Sequence, residues 1–314
     1  MNIVFIGDGY DAKQMADGTY LKDMKQQVED FFALPPYNTY QDYFRVYTGI
    51  AVSQESGVGT VNTICYNKFE TTFRKELELR GNEDAIFEYV LRAPEVNADN
   101  LHQTLVVLTP NTTIYGGICK LFTDGSAIAY CPMSAEPYPF DRRGIVQHEA
   151  GGHGFGKLAD EYIYYNAFIP FSKIKELENS QLLYGFFKNL SVSGKISDVP
   201  WNHLLFHEKY KEVVDIFEGG YEYNRGVFRS EHNSCMNNNV PYFNAYSREL
   251  IVRRIMEYAG LPFSFADFVA KDVMEPGKGA VTTRAFDAPI WQHSSYHRPP
   301  VVIEGSPSIL NRKK

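Results

Sequence analysis

Only four cysteines, Cys65, Cys119, Cys131 and Cys235, occur in the 314 residues, and no two stand at CxxC spacing. That excludes zinc ribbons and thioredoxin-like redox motifs, which need thiols two residues apart. Cys119 and Cys131 are close enough in sequence for a disulfide, and four buried thiols fit equally well. Long apolar runs are missing too: Ile3–Ile6 and Leu105–Leu108 are strand-sized, far below the ~20 residues of a membrane-spanning helix. Nor is there a basic excess. With 31 Lys and Arg against 38 Asp and Glu the net charge is −7, which argues against nucleic acid or an anionic membrane as partner. The start, Met1-Asn2-Ile3-Val4-Phe5, lacks a basic region followed by an apolar stretch and a small-residue cleavage site, and reads as a core strand. Tryptophan numbers only two, but 22 Tyr and 22 Phe bring aromatics to 15%, a supply suited to presenting mixed apolar and polar surface.

The pattern along the chain alternates strands and helices. A strand at Asn2–Ile6 leads through Gly7-Asp8-Gly9 to a helix around Tyr20–Phe32 that Pro35-Pro36 stops. Strands are expected at Tyr43–Val52, Thr104–Leu108 and Ala127–Cys131, separated by a Ser-, Gly- and Thr-rich loop at 53–63 and by Gly116-Gly117. Helical patterns occur near Phe69–Leu79, Glu83–Leu91, Arg143–Lys157, Ile174–Asn189, His203–Phe217 and Ser247–Tyr258. The last stretch, of about 40 residues, holds several prolines and little periodicity, and reads as an extended, wrapping tail.

Gly7-Asp8-Gly9-Tyr10-Asp11-Ala12 fits the G-x-G-x-x-G/A outline of a dinucleotide site. Acidic Asp8 and Asp11 would repel a pyrophosphate there, and the helical pattern starts only near Thr19, so the segment reads as a strand-to-loop turn.

The segment that carries chemistry is Gln147-His148-Glu149-Ala150-Gly151-Gly152-His153-Gly154-Phe155-Gly156-Lys157-Leu158-Ala159-Asp160-Glu161-Tyr162. Two imidazoles, an adjacent carboxylate and a downstream acidic pair are the parts of a zinc hydrolase. In H-E-x-x-H the histidines are four apart and share a helix face; here they are five apart, about 140° apart on an ideal α-helix. A π-bulge would restore the common face, and Gly151 and Gly152 sit where it would form. Gly156 would turn the chain so that Asp160 returns to the metal as third ligand, with Glu161 as the alternative. Glu149, facing the open position of the ion, would take a proton from water and deliver it to the leaving amine. A second pair, His203 and His207, has the i, i+4 spacing but lacks the Glu and the Gly turn, and reads as packing histidines. His232, just before Ser234-Cys235-Met236, is a candidate to line the site.

These residues resemble the IgA-peptidase-type zinc metallopeptidases, which belong with the metzincin-like enzymes. The resemblance begins at Asn2–Tyr10, continues through Ser53-Gln54-Glu55-Ser56-Gly57, centres on His148–Tyr162 and recurs at Ser234-Cys235-Met236-Asn237, Pro241-Tyr242-Phe243 and Ser247-Arg248-Glu249. It implies a zinc cofactor on His148, His153 and Asp160, Glu149 as general base and Met236 as the Met-turn residue. Two departures stand out. The H-E-x-x-G-H form also looks like the motif of dipeptidyl-peptidase-III-type zinc enzymes. The third ligand of metzincins lies six residues beyond the second His, which here is Ala159, whereas Asp160 is seven beyond. Many members are secreted, so a secreted or cell-surface location with the signal segment outside this chain is expected, with the cytoplasm as alternative.

The expected fold is α/β, metzincin-like, a twisted mixed sheet with a central active-site helix and a C-terminal subdomain. Residues 1–156 would form the N-terminal lobe with the zinc helix, and 157–314 a C-terminal lobe with the Met-turn and the tail. The expected activity is zinc-dependent hydrolysis of a polypeptide, with endopeptidase action. The substrate would lie between the halves and add to a sheet edge, for which Ala127–Cys131 is the candidate, and Tyr242 or Tyr246 would stabilise the oxyanion. The alternative is a peptide- or glycan-binding module on an inactive peptidase scaffold.

Overall fold

The computed structural model describes residues 1–274 and 298–311. The chain divides into two compact units: Met1–Ala33, Asp42–Phe155 and Ser295–Lys314 form the first, and Leu34–Gln41 with Gly156–Ser294 the second.

The first unit opens with β1 (Asn2–Asp8), the short α1 (Ala12–Ala16), α2 (Thr19–Phe31) and β2 (Arg45–Gly49). The hairpin strands β3 (Thr72–Phe73) and β4 (Leu79–Arg80) follow, then α3 (Glu83–Val90), β5 (Thr104–Pro110), β6 (Ile118–Phe122), β7 (Ala127–Tyr130) and α4 (Arg142–Ile145), which runs straight into a π-helix at Val146–Phe155. The second unit holds β8 (Ile163–Phe168), α5 (Phe171–Leu183), α6 (Asn202–Leu205), β9 (Phe217–Gly220), β10 (Glu222–Arg229), α7 (Cys235–Asn238), α8 (Ala245–Tyr258) and α9 (Phe265–Lys271). The chain then returns to the first unit with β11 (Val301–Ile303) and α10 (Ser308–Asn311).

The main sheet of the first unit has the order β11-β6-β7-β5-β1-β2. It is mixed: only β6 runs antiparallel to its neighbour β7, and the other pairs are parallel. β1 and β5 are buried along their whole length, as expected of near-continuous apolar strands covered on both faces. One face packs on a core of Ile6, Phe69, Ile86, Phe87, Leu108, Ile128 and Tyr130. Against the sheet lie α2 and the π-helix, the latter in contact with β5, β6, β7 and α2. α2 follows from its own spacing, because Tyr20, Met24, Gln27 and Phe31 recur at helical intervals and form its buried stripe.

The 69–79 region corrects the helix expected there. Asp8 at the end of β1 is fully buried, and its carboxylate accepts N–H bonds from Phe69 (3.1 Å) and Thr71 (3.2 Å) and a bond from the Ser53 hydroxyl (3.2 Å). Those bonds pull the backbone into an extended path, and Glu70 and Leu77 adopt positive φ (57° and 64°), which no α-helix allows. The same contacts show what the Gly7–Ala12 turn does: Asp8 organises loops, and Asp11 caps α1 through the Gln14 N–H (2.9 Å).

In the second unit a small sheet has the order β8-β10-β9, with β8 parallel and β9 antiparallel to β10. Its strands lie where no strand was expected. The helix expected over His203–Phe217 reduces to α6, because the chain then folds back in successive turns around buried Trp201 and Tyr210. Trp201 Nε1 donates to the Asp215 carbonyl at 3.0 Å and fixes that return. α5 ends at Leu183, earlier than expected, with Gly185 left-handed just beyond (φ 70°). α8 buries Arg248, whose guanidinium makes a two-point bond to Asp272 (2.6 and 2.9 Å) with both side chains 1% exposed. Most of the expected wrapping tail, 275–297 and 312–314, lies outside the described residues. Its described part, 298–311, contains β11 and α10.

Candidate metal centre

The sheet and α2 prepare the backbone that carries the two histidines. Asp141 caps α4 by accepting the Gly144 N–H (3.0 Å), and the helix changes to i→i+5 bonding at Val146. Gln147 Nε2 donates to the Asp30 carbonyl of α2 (3.0 Å), and Gln27 of α2 donates to the Cys131 carbonyl just past β7 (2.9 Å). The first bond ties the π-helix to α2, and the second ties α2 to the end of β7. The expected single-turn bulge is thus a ten-residue π-helix. In i→i+5 bonding, residues five apart stack over one another, so His148 and His153 share a face and their rings meet edge to face at 4.7 Å. Close packing makes further demands on glycine: a Cβ on Gly154 would come within 2.6 Å of Leu105 Cδ1 in β5.

Glu149 is buried against the start of β6. A Cβ on Gly117 would stand 3.1 Å from both Glu149 Cγ and Oε1, so the bare Gly117 backbone lies directly on the carboxylate. The sequence assigns Gly116-Gly117 no role at the site; two adjacent glycines ahead of an apolar strand are the signal it carries.

After the π-helix the turn is made by Lys157, which is left-handed (φ 54°), rather than by Gly156. Asn189 then clamps the next residues: its Oδ1 accepts the Ala159 N–H (2.7 Å), and its Nδ2 donates to the Ala159 carbonyl (3.0 Å) and to Glu161 Oε1 (2.9 Å). The adjacent acids have different surroundings. Glu161 is fully buried and accepts bonds from Ser234 Oγ (2.6 Å), Asn189 and Asn244 Nδ2 (2.9 and 3.1 Å). Burial pushes its carboxyl pKa up, opposed by those donors and by Arg229. Asp160 belongs to the one cluster of metal-ligating type among the described residues: His148, His153 and Asp160 each offer a ligand atom, all within 4.8 Å of one another, and all three are buried. Two imidazoles and one carboxylate are a donor set for a divalent first-row metal with a position left open.

The remaining candidates fall in the second unit. Met236 is fully buried in α7, which Ser234 caps, and its carbonyl accepts the Glu161 N–H (2.8 Å). Tyr242 donates its hydroxyl to Glu231 (2.8 Å), a buried acid that burial pushes up to about 7. Tyr246 packs against Trp201 and His203. His232 is exposed beside the Phe217 ring. His203 meets Glu249 (2.7 Å) and His207 accepts the Lys209 N–H (3.2 Å), so this pair serves packing and hydrogen bonding. Asn189, Ser234 and Asn244, which immobilise the Asp160-Glu161 dipeptide, were not singled out as site residues. Only Ser234 lay in a recognised motif; Asn189 and Asn244 are far from the acids in sequence and carry no local signature.

A family model described as IgA Peptidase M64 matches residues 1–179, which takes in β1, β2, β5, β6 and β7 of the main sheet and the whole of His148–Tyr162. No curated protein matches the chain. With more than half its length covered, the chain belongs to the M64 peptidase family.

Proposed function

From membership of that peptidase family, we propose that this chain is a zinc metallopeptidase that hydrolyses internal peptide bonds of a polypeptide, with His148, His153 and Asp160 as ligands and Glu149 as general base. The observation that carries the reading is the convergence of those three buried side chains to within 4.8 Å, beside Glu149. Zinc bound there supplies Lewis-acid polarisation of the scissile carbonyl and lowers the pKa of water. The protein's part is positional and acid–base. Glu149 takes a proton from the attacking water as the new C–O bond forms, and returns a proton to the amine nitrogen as the C–N bond breaks. The Gly117 backbone against it sets the direction of its carboxylate. Glu161 acts as a positioning residue: its bonds to Ser234, Asn189 and Asn244 hold the backbone that presents Asp160. Met236 is the proposed Met-turn residue, and its carbonyl, by accepting the Glu161 N–H, ties α7 to the Asp160-Glu161 dipeptide.

One expectation about substrate is corrected. Ala127–Cys131 is no edge, since β7 lies between β6 and β5.

The test is Glu149→Gln. The protein should keep near-stoichiometric zinc by metal analysis and lose cleavage of a peptide library by about two to four orders of magnitude. Cleavage that persists at the original rate would remove Glu149 from the chemistry, and purified protein with no affinity for zinc would end the metallopeptidase reading.

A further inference from the structure

Two of the side chains that hold the Glu161 carboxylate stand on different pieces of backbone: Ser234 caps α7, and Asn244 caps α8. Glu231 bonds to both pieces. Its Oε1 accepts the Ala245 N–H (2.6 Å), one residue after Asn244, and its Oε2 accepts the Tyr242 hydroxyl (2.8 Å). The Tyr242 carbonyl in turn accepts the Cys235 N–H (2.6 Å), one residue after Ser234. A single carboxylate therefore staples the start of α8 to the start of α7. Asn244 is fixed from its other end as well, since its Oδ1 accepts the Ser247 N–H (2.8 Å) and its Nδ2 is thereby turned to Glu161. Glu231 is buried, and both of its partners present a proton to it. A carboxylate answers with an acceptor at each oxygen, whereas the amide of a glutamine accepts at one end and donates at the other.

We propose that Glu231 is a positioning residue of the metal centre: by holding the Ser234 and Asn244 segments together on Glu161, it fixes the backbone that presents Asp160. The inference rests on the metallopeptidase reading above, with Asp160 as the third ligand. Glu231 acts through Glu161, so its loss is felt as a weaker grip on the ion rather than as a missing ligand.

The experiment is a mutant cycle read in zinc affinity. The unaltered chain, Glu231→Gln, Glu161→Gln and the double variant are stripped of metal, and the zinc Kd of each is measured by competition with a chromophoric chelator. Each single variant should bind zinc about fivefold to twentyfold more weakly, since bonds to a charged acceptor become bonds to a neutral amide or are lost. The double variant should be no weaker than the worse single one, because the path to Asp160 through the Glu161 carboxylate is already broken. Glu249→Gln is the control: it neutralises another buried acid, in α8, whose bonds go to His203 and Arg253, and its zinc Kd should match that of the unaltered chain. In the metal-free chains, hydrogen exchange at the Glu161 amide, which donates to the Met236 carbonyl, should quicken about tenfold in Glu231→Gln. If Glu231→Gln does not fold, Tyr242→Phe removes one of the two bonds to Glu231 and should weaken zinc about threefold. An unchanged zinc Kd in the folded variant, losses that multiply in the double variant, or an equal loss in Glu249→Gln overturns the proposal. Failure of the metallopeptidase reading looks different: no chain binds zinc, and exchange at Glu161 then decides the role of Glu231 alone, faster exchange supporting it and unchanged exchange overturning it.

Discussion

His203 and His207 are four residues apart, the interval at which two imidazoles share the face of an α-helix, while His148 and His153 are five apart and on such a helix would diverge. The structure reverses that ranking. α6 ends at Leu205, so His203 and His207 stand on different pieces of backbone, with Phe265 packed against both rings. His148 and His153 lie on one continuous π-helix, and their rings meet. Interval has meaning only relative to the helix that carries it. The π-helix is held by groups outside itself, namely α2, β5, β6 and β7, whereas the backbone around His207 is fitted to Trp201 and Tyr210.

The largest effect that tests this contrast is expected from His153→Ala. It removes one of the three proposed ligands, so on the zinc-peptidase reading zinc content should fall well below stoichiometric and peptide hydrolysis should disappear to the limit of the assay. Retention of full zinc by this variant, measured by metal analysis after dialysis, would show that the cluster of His148, His153 and Asp160 is not the metal centre.

A smaller effect should follow from Gly117→Ala. The new methyl would stand 2.8 Å from Ile145 Cγ2 and 3.1 Å from Glu149 Oε1, so the carboxylate must move while the ligands are untouched. If Glu149 is the general base proposed above, misplacing it by a few tenths of an ångström should lower kcat about tenfold, with zinc content and KM near those of the unaltered chain. A fall in zinc content instead would mean that β6 supports the ligands and not the base.

Much of this was legible in the residues. β1, α2, α3, β5 and α8 follow from apolar runs or helical periodicity, and the grouping of His148, His153 and Asp160 from residue type and order. What stayed hidden was whatever depends on distant partners. β6 contains Lys120, which argues against a buried strand until one sees it paired with Glu83 and over the Tyr130 ring. The strands β8 and β10 carry Tyr, Asn, Glu and Arg in no simple alternation, since much of their surface is exposed and bulges interrupt their register. Glycines between the histidines suggested a local bulge, but the π-helix runs ten residues and is bonded across to α2 through Gln147 and the Asp30 carbonyl. The division of labour between Asp160 and Glu161 rested on Asn189, Ser234 and Asn244, 28 to 83 residues from Glu161.

The packing that holds the π-helix can be strained without touching a ligand. In Gly154→Ala the added Cβ would lie 2.6 Å from Leu105 Cδ1, 3.2 Å from the Glu149 carbonyl and 3.7 Å from Ala129 Cβ. Overpacking of this kind costs about 1–3 kcal/mol, which a shift in the denaturant midpoint at unchanged slope would record. An unshifted midpoint would mean that the helix can slide on β5.

The smallest effect completes the contrast. In His203→Ala/His207→Ala, zinc content and hydrolysis should match the unaltered chain, because neither ring belongs to the metal cluster. Stability should fall only modestly. Glu249 is fully buried and loses the His203 bond, but Arg253 still donates to it from Nε (2.8 Å) and Nη2 (2.7 Å), so its charge is not stranded. Loss of one bond whose acceptor keeps a charged partner costs about 1 kcal/mol. If this double variant lost zinc, the pair with the regular spacing would have a share in the metal after all, and the argument from the π-helix would have to account for both.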